Sequence, residues 1–162
     1  MSTTVYLGLG SNIEPAKHIR SAIVALRNAF GPLDISPIYE SRAVGFEGDN
    51  FLNLVVQLTT HQTLLELIDT LHSIEDQLGR RRNGPKFSAR TIDIDILLYG
   101  ELVCDKPITL PRPEITENAY VLKPLCDLAP DVFHPGTDLT YRELWQRYPK
   151  DKQSLWPVSL DL

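Results

Sequence analysis

The order of apolar patterns along the chain predicts an α+β fold, a ferredoxin-like βαββαβ sandwich with a C-terminal elaboration, in a single domain spanning residues 1–162. Three observations carry that expectation. Short β-branched runs alternate with two amphipathic helical patterns in the order β-α-β-β-α-β. Each helical pattern has one apolar stripe, which suits packing on one face of an antiparallel sheet. The chain has 162 residues, 43% of them hydrophobic, enough for one core, and it lacks an internal repeat or low-complexity linker that would divide it.

Residues 4–9 are apolar and β-branched, and they run into Gly8-Leu9-Gly10-Ser11-Asn12, a turn-rich pentapeptide that reads as a strand and its loop. From Pro15 to Phe30, Ile19, Ala22, Ile23 and Leu26 recur at helical spacing, and Gly31-Pro32 closes the helix. A strand is expected over 34–43, a loop with two glycines over 44–50, and a strand over 51–60. Leu64, Leu65, Ile68, Leu71, His72 and Leu78 mark a second helix, closed by Gly79 and the cationic run Arg80-Arg81-Arg82. A polar loop over 83–89 precedes the clearest strand, 91–99. Prolines then divide the chain into short pieces, with helices expected near 117–128 and 139–148 and a loosely held tail from Lys150.

Composition excludes several classes of function. A net charge of -5 and a pI near 5.3 argue against general affinity for nucleic acid or anionic membrane, so an anionic ligand must meet a local site. Cys104 and Cys126 make neither a zinc motif nor a disulfide framework, and His18, His61, His72 and His134 show no ligand spacing. There is no secretion signal pattern and no apolar run of about 20 residues, so a cytoplasmic protein is expected. GxGxxG, GxxxxGK[ST] and GxSxG patterns are all missing from the sequence, which leaves dinucleotide, P-loop and serine-nucleophile chemistry without support.

The chemistry-bearing segment is Thr91-Ile92-Asp93-Ile94-Asp95-Ile96. Strand alternation turns the isoleucines one way and both aspartates the other, with the aspartate Cα atoms roughly 7 Å apart. Two like charges at that spacing call for a cation, and magnesium, which prefers carboxylate oxygen and completes its shell with phosphate, is the natural one. Taken alone, the pair fits a solvated strand face better than a metal site. Arg90 directly before the strand, and Arg80 to Arg82 before the loop, add guanidinium groups suited to a transferring phosphoryl group. Arg81 is read only as a complement to the helix dipole. Asn53, polar among Phe51, Leu52, Leu54 and Val55, reads either as a ligand for the edge of a heterocycle or as a local backbone partner. Glu75 reads as able to bind a cation or ligand, with a helix-surface carboxylate as its default.

Gly8-Leu9-Gly10-Ser11-Asn12, Phe51-Leu52-Asn53 and above all Arg90-Thr91-Ile92-Asp93-Ile94-Asp95-Ile96-Leu97-Leu98-Tyr99-Gly100 closely resemble the 6-hydroxymethyl-7,8-dihydropterin pyrophosphokinase family. Glu75, Gly79-Arg80 and Val121-Leu122-Lys123-Pro124-Leu125 extend the resemblance from residue 5 to about 135. It implies an enzyme of folate biosynthesis that transfers pyrophosphate from ATP to the hydroxymethyl group of the pterin, releasing AMP. The resemblance further implies that Asp93 and Asp95 hold two Mg2+ ions, with Arg80 and Arg90 acting on the transferring group. Pterin would lie near Ser41, Val44, Phe51, Asn53 and Tyr120, and ATP along Ile68, Glu75, Arg82, Ile96, Thr109 and Arg112. A monomer is implied as well.

Phe87-Ser88-Ala89 stands where the family usually has Trp-Gly-Pro, Arg112 where histidine is usual, and Asn118 where arginine is usual. These departures leave a divergent paralogue, one that binds a pterin but turns over slowly or takes a related substrate, as the alternative. An RNA-recognition module shares the element order, but it predicts aromatic and basic sheet positions where this chain has Ile and Asp.

Overall fold

The computed structural model describes residues 2–42, 50–79, 92–151 and 153–162. Its elements are β1 (Thr3–Ser11), α1 (Pro15–Phe30), β2 (Asp34–Ile35), β3 (Ile38–Ser41), β4 (Phe51–Thr60), α2 (Leu64–Gln77), β5 (Asp93–Tyr99), α3 (Glu114–Glu117), α4 (Ala119–Leu128), α5 (Tyr141–Arg147) and β6 (Leu155–Val158). The sheet runs β5-β1-β4-β3-β6, with β2 also paired to β4. Its first four strands have the antiparallel order expected of the ferredoxin-like fold.

β1 is longer than the 4–9 strand expected, because Gly8 to Ser11 continue it instead of forming a loop. As an inner strand it pairs on both sides, and the two ladders hold even glycines extended. The single strand expected over 34–43 is broken at Ser36-Pro37. Proline has no N–H for the ladder, while Ser36 stays attached to β4 through its own N–H to the Val55 carbonyl (2.9 Å) and through its Oγ, which accepts from the Val55 N–H (2.9 Å).

Pro15 opens α1, and Gly31, at φ 84°, ends it in the left-handed conformation glycine tolerates. A reciprocal Thr63–Glu66 capping box starts α2. Its buried stripe is Leu67, Leu71, Ile74 and Glu75, whereas Leu65 and His72, both included in the expected apolar stripe, are exposed. The helix expected near 117–128 divides into α3 and α4 at Asn118, whose backbone is extended (φ -123°, ψ 124°). A Thr140–Glu143 capping box starts α5.

Helices pack on both faces of the sheet. Val5, Leu7 and Leu9 of β1 join Ile92, Ile94 and Ile96 under α1 and α2 in the larger core. On the opposite face, Tyr6, Val55, Leu97 and Leu98 are buried under α4 and α5 with Leu122, Leu125 and Tyr141. Strict alternation would place Leu97 and Leu98 on different faces. A register shift opposite Tyr6/Leu7 lets both face the second core.

The expectation of a loose tail is wrong. β6 pairs with β3 from Ile38↔Val158 to Ser41↔Leu155, and the Arg20 Nε–H reaches the Asp161 carbonyl at 3.0 Å. β6 has a partner because β3 would otherwise be the outer edge of the sheet.

Candidate functional site

The second face carries two different surfaces along the same strands. At one end it is sealed by α3–α5; at the other the described helices leave it open, and Ser41, Phe51, Asn53, Asp93 and Asp95 lie there. Antiparallel register places Tyr39 opposite Asn53, Asn53 opposite Gly10, and Gly10 opposite Asp93, in one row across four strands. The adjoining pairs are Ser41↔Phe51 on one side and Gly8↔Asp95 on the other. Residues two apart on a strand share a face, so Ser41, Phe51, Asn53, Asp93 and Asp95 all belong to this surface.

At the acidic end, Asp93 and Asp95 are partly exposed, Asp95 to 42% of its side chain. An Arg112 guanidinium nitrogen lies 3.6 Å from Asp95 Oδ1, and Arg112 also pairs with Glu114 through Nε. The Arg112 N–H donates to the Leu97 carbonyl at 3.1 Å, which holds this residue beside β5. Thr109 is exposed on the same connection. Among the described residues, no cluster of three or more His, Cys, Asp or Glu side chains is placed to hold a metal. Asp93 and Asp95 supply hard carboxylate oxygens on this face, a donor type that suits magnesium better than a metal that needs a closed protein cage.

Glu75 is not a surface carboxylate. It is 3% exposed on α2, behind the sheet, and its Oε2 accepts the Ile94 N–H at 2.8 Å. β5 is an outer strand, so this carboxylate satisfies an edge N–H and fixes the segment between Asp93 and Asp95. Ile96, expected along ATP, has its side chain 4% exposed in the larger core, on the face opposite Asp95. Its outward groups are those of its backbone, which alternation turns the same way as the Ile94 N–H. Ile68 packs, half-buried, against the same core.

At the other end of the row, the Asn53 Oδ1 is buried and has no hydrogen-bond partner among the described residues. An orphaned amide oxygen costs about 1–3 kcal/mol, so it marks a place kept for a ligand. Phe51 and Tyr120 are half-buried and Ser41 is buried. Burial first, then the negative charges of Glu114 and Asp95, push the Tyr120 hydroxyl above its usual pKa, so it stays neutral beside the acidic pair.

The helix bearing Tyr120 is tied down at three points. The Tyr39 hydroxyl donates to Asp127 Oδ2, which joins α4 to β3, and within α4 Lys123 Nζ donates to Asp127 Oδ1 at 2.6 Å. Burial, then that carboxylate, raise the Tyr39 pKa. From the tail, Gln153 Nε2 donates to Asn118 Oδ1 (3.0 Å) while its Oε1 accepts the Ala119 N–H (2.7 Å). Tyr148 donates its hydroxyl to the Glu117 carbonyl at 2.9 Å. Sequence reasoning missed Gln153. Its only trace was the unexplained Asn118, which the structure shows to be half of this clamp.

Val44, Arg80, Arg82 and Arg90 lie outside the described residues, as do Arg81 and the divergent Phe87-Ser88-Ala89.

The family model for 7,8-dihydro-6-hydroxymethylpterin-pyrophosphokinase (HPPK) matches residues 6–130. The 2-amino-4-hydroxy-6-hydroxymethyldihydropteridine pyrophosphokinase of Aquifex aeolicus is 39% identical over 135 residues, covering 82% of this chain and 84% of that one. The Pseudomonas aeruginosa protein of the same name is 39% identical over 140 residues, covering 83% and 86%. Among solved structures, wild-type Plasmodium falciparum HPPK-DHPS with pteroate superposes with a TM-score of 0.71 at 16% identity. That match covers 91% of this chain and 42% of the longer one, and at such identity it supports the fold alone. With its ferredoxin-like sheet, its acidic pair and its sequence relatives in agreement, the chain belongs to the 7,8-dihydro-6-hydroxymethylpterin-pyrophosphokinase family.

Proposed function

We propose that the chain transfers the pyrophosphoryl group of ATP to the hydroxymethyl oxygen of 6-hydroxymethyl-7,8-dihydropterin, as a step of folate biosynthesis. The observation that carries this reading is the row Asn53–Gly10–Asp93: an unsatisfied amide acceptor and a carboxylate stand on one face with only a glycine between them. A heterocycle held at one end and a nucleotide phosphate at the other would meet over the central strand.

In the reaction the pterin oxygen forms a bond to the β-phosphorus while the bond from that phosphorus to the α,β-bridging oxygen breaks. The electron pair leaves with AMP, and the hydroxyl proton goes to solvent or to a phosphate oxygen. Such transfer asks mainly for alignment and charge neutralisation. Asp93 and Asp95 would hold two Mg2+ ions, which when bound neutralise and align the ATP phosphates. Arg112, already beside Asp95, is suited to a phosphate contact in place of the family's usual histidine. Arg80 and Arg90 are assigned to the transferring group and Arg82 to ATP through the family resemblance.

Asn53 Oδ1 would accept a ring N–H of the pterin, with Phe51 and Tyr120 stacking on its faces and Ser41 and Val44 bordering it. Thr109, Ile68 and the Ile96 backbone would border the nucleotide, and Glu75 would act through Ile94 by holding the acidic strand in register. The whole of 1–162 would work as one domain, which the pairing of β6 with β3 supports. Among the described residues no helix is long and apolar enough to cross a membrane; a cytoplasmic monomer is the reading we adopt.

Phosphorus NMR of a reaction with ATP, magnesium and the pterin tests the activity. The expected products are AMP and a pterin diphosphate ester. ADP with a pterin monophosphate, or no pterin-dependent change, would refute the assignment.

A further inference from the structure

Gly10 occupies the middle of the row, opposite Asn53 on one side and Asp93 on the other. A Cβ added at Gly10 would fall 2.7 Å from Asn53 Nδ2, closer than nonbonded atoms approach, with the Leu52 carbonyl oxygen next in line at 3.9 Å. Gly10 is not among the glycines with positive φ, so its backbone suits any residue. What requires glycine here is the neighbouring amide, which lies across the bare Cα.

The geometry points to Gly10 as a positioning residue for pterin recognition: its missing side chain lets the Asn53 amide lie flat on β1 with Oδ1 aimed at the ligand. This rests on the reading of Asn53 as the pterin acceptor. Two independent facts meet in it, namely the close approach over Gly10 and the buried Oδ1 with no partner among the described residues. An amide carrying an unsatisfied acceptor would otherwise rotate to find a partner. The bare Cα of Gly10 leaves room for this rotamer, and the pterin meets a group that needs no reorganisation. A methyl at Gly10 would meet the end of a side chain, which moves cheaply, and not backbone; the fold survives and the amide turns away. Gly8, two residues earlier, differs, since a Cβ there meets Leu97 Cδ2 at 3.3 Å and presses on the core.

The test is a double-mutant cycle on the full chain, reading equilibrium binding of 6-hydroxymethyl-7,8-dihydropterin by calorimetry in wild type, Gly10→Ala, Asn53→Ala and the double variant. Gly10→Ala is expected to weaken pterin binding about tenfold, the loss of one hydrogen bond in a buried site, while the KM for ATP stays within about twofold. In the Asn53→Ala background the same change should weaken binding no further. A thermal midpoint for Gly10→Ala close to wild type would exclude a folding defect as the cause. Wild-type affinity in Gly10→Ala, or an equal loss in both backgrounds, overturns the role of Gly10 while leaving Asn53 as the acceptor. Wild-type affinity in Asn53→Ala overturns both.

Discussion

The two ends of the outer sheet face are made by the same strands with the same alternation, yet they differ in everything that matters for ligands. At one end Tyr6, Val55, Leu97 and Leu98 are sealed under α4 and α5. At the other, Gly10 replaces bulk with a gap, Asn53 keeps a buried oxygen unsatisfied, and two aspartates stand side by side. The sealed end is stabilised by burial, at roughly 1.5–3 kcal/mol for each large apolar side chain. The open end gives up that stabilisation and adds an orphaned acceptor and a like-charge pair. Such a concession on one half of a face, beside a well-packed half, is the physical mark of a site, and each half can be disturbed separately.

The largest effect is expected from Asp95→Ala, which removes one carboxylate of the acidic pair. Turnover should fall roughly 1,000-fold or more, with pterin binding little changed; steady-state kinetics beside calorimetry would check this. Next comes Glu75→Ala, which leaves the Ile94 N–H without its carboxylate and loosens the acidic strand from behind. Its expected cost in magnesium-dependent activity is about 10- to 100-fold, and Glu75→Gln, which keeps an acceptor, should recover most of it. Equal damage from both would mean that the charge, and not the hydrogen bond, is what β5 needs.

A smaller effect belongs to Gln153→Ala, which opens the clamp on Asn118 and the Ala119 N–H. With hydrogen bonds worth about 1 kcal/mol net, the KM for pterin should rise roughly three- to tenfold while the KM for ATP holds. An equal rise in both would assign Gln153 to general stability and not to the Tyr120 wall. The smallest lies in the sealed half, where burial holds the His134 imidazole below its ordinary value of 6.5 and its Nδ1 lies 2.9 Å from the Tyr141 hydroxyl. The unfolded chain therefore takes up that proton at higher pH than the folded one. The stabilisation is present in full above 6.5 and is lost as pH falls through that value toward the lower folded pKa. The difference in thermal midpoint between wild type and His134→Phe should narrow from pH 8 to pH 5; a widening gap would reverse the sign.

The sequence made the four-strand, two-helix frame legible because its cues are local: alternation in Ile92 to Ile96, the stripe of α1, and glycine at both helix exits. Asp93 and Asp95 were legible for the same reason, since alternation alone places them on one face. What the sequence did not carry is long-range pairing. Gly8 and Gly10 look like turn residues until two neighbouring strands hold them extended, and the tail looks loose until β3 needs a partner. Glu75 looks like surface until the edge N–H of Ile94 comes into view. Gln153 has no local pattern at all, because its partners lie at Asn118 and Ala119, more than 30 residues away.

The most direct test is the initial rate of AMP release as a function of pterin concentration, at fixed ATP and magnesium, in wild type, Asp95→Ala and Asn53→Ala. If the two ends of the row divide the work as described, Asp95→Ala stays flat at every pterin concentration, while Asn53→Ala saturates at pterin concentrations about tenfold higher or more. Near-wild-type rates in Asp95→Ala, or unchanged saturation in Asn53→Ala, would contradict the account.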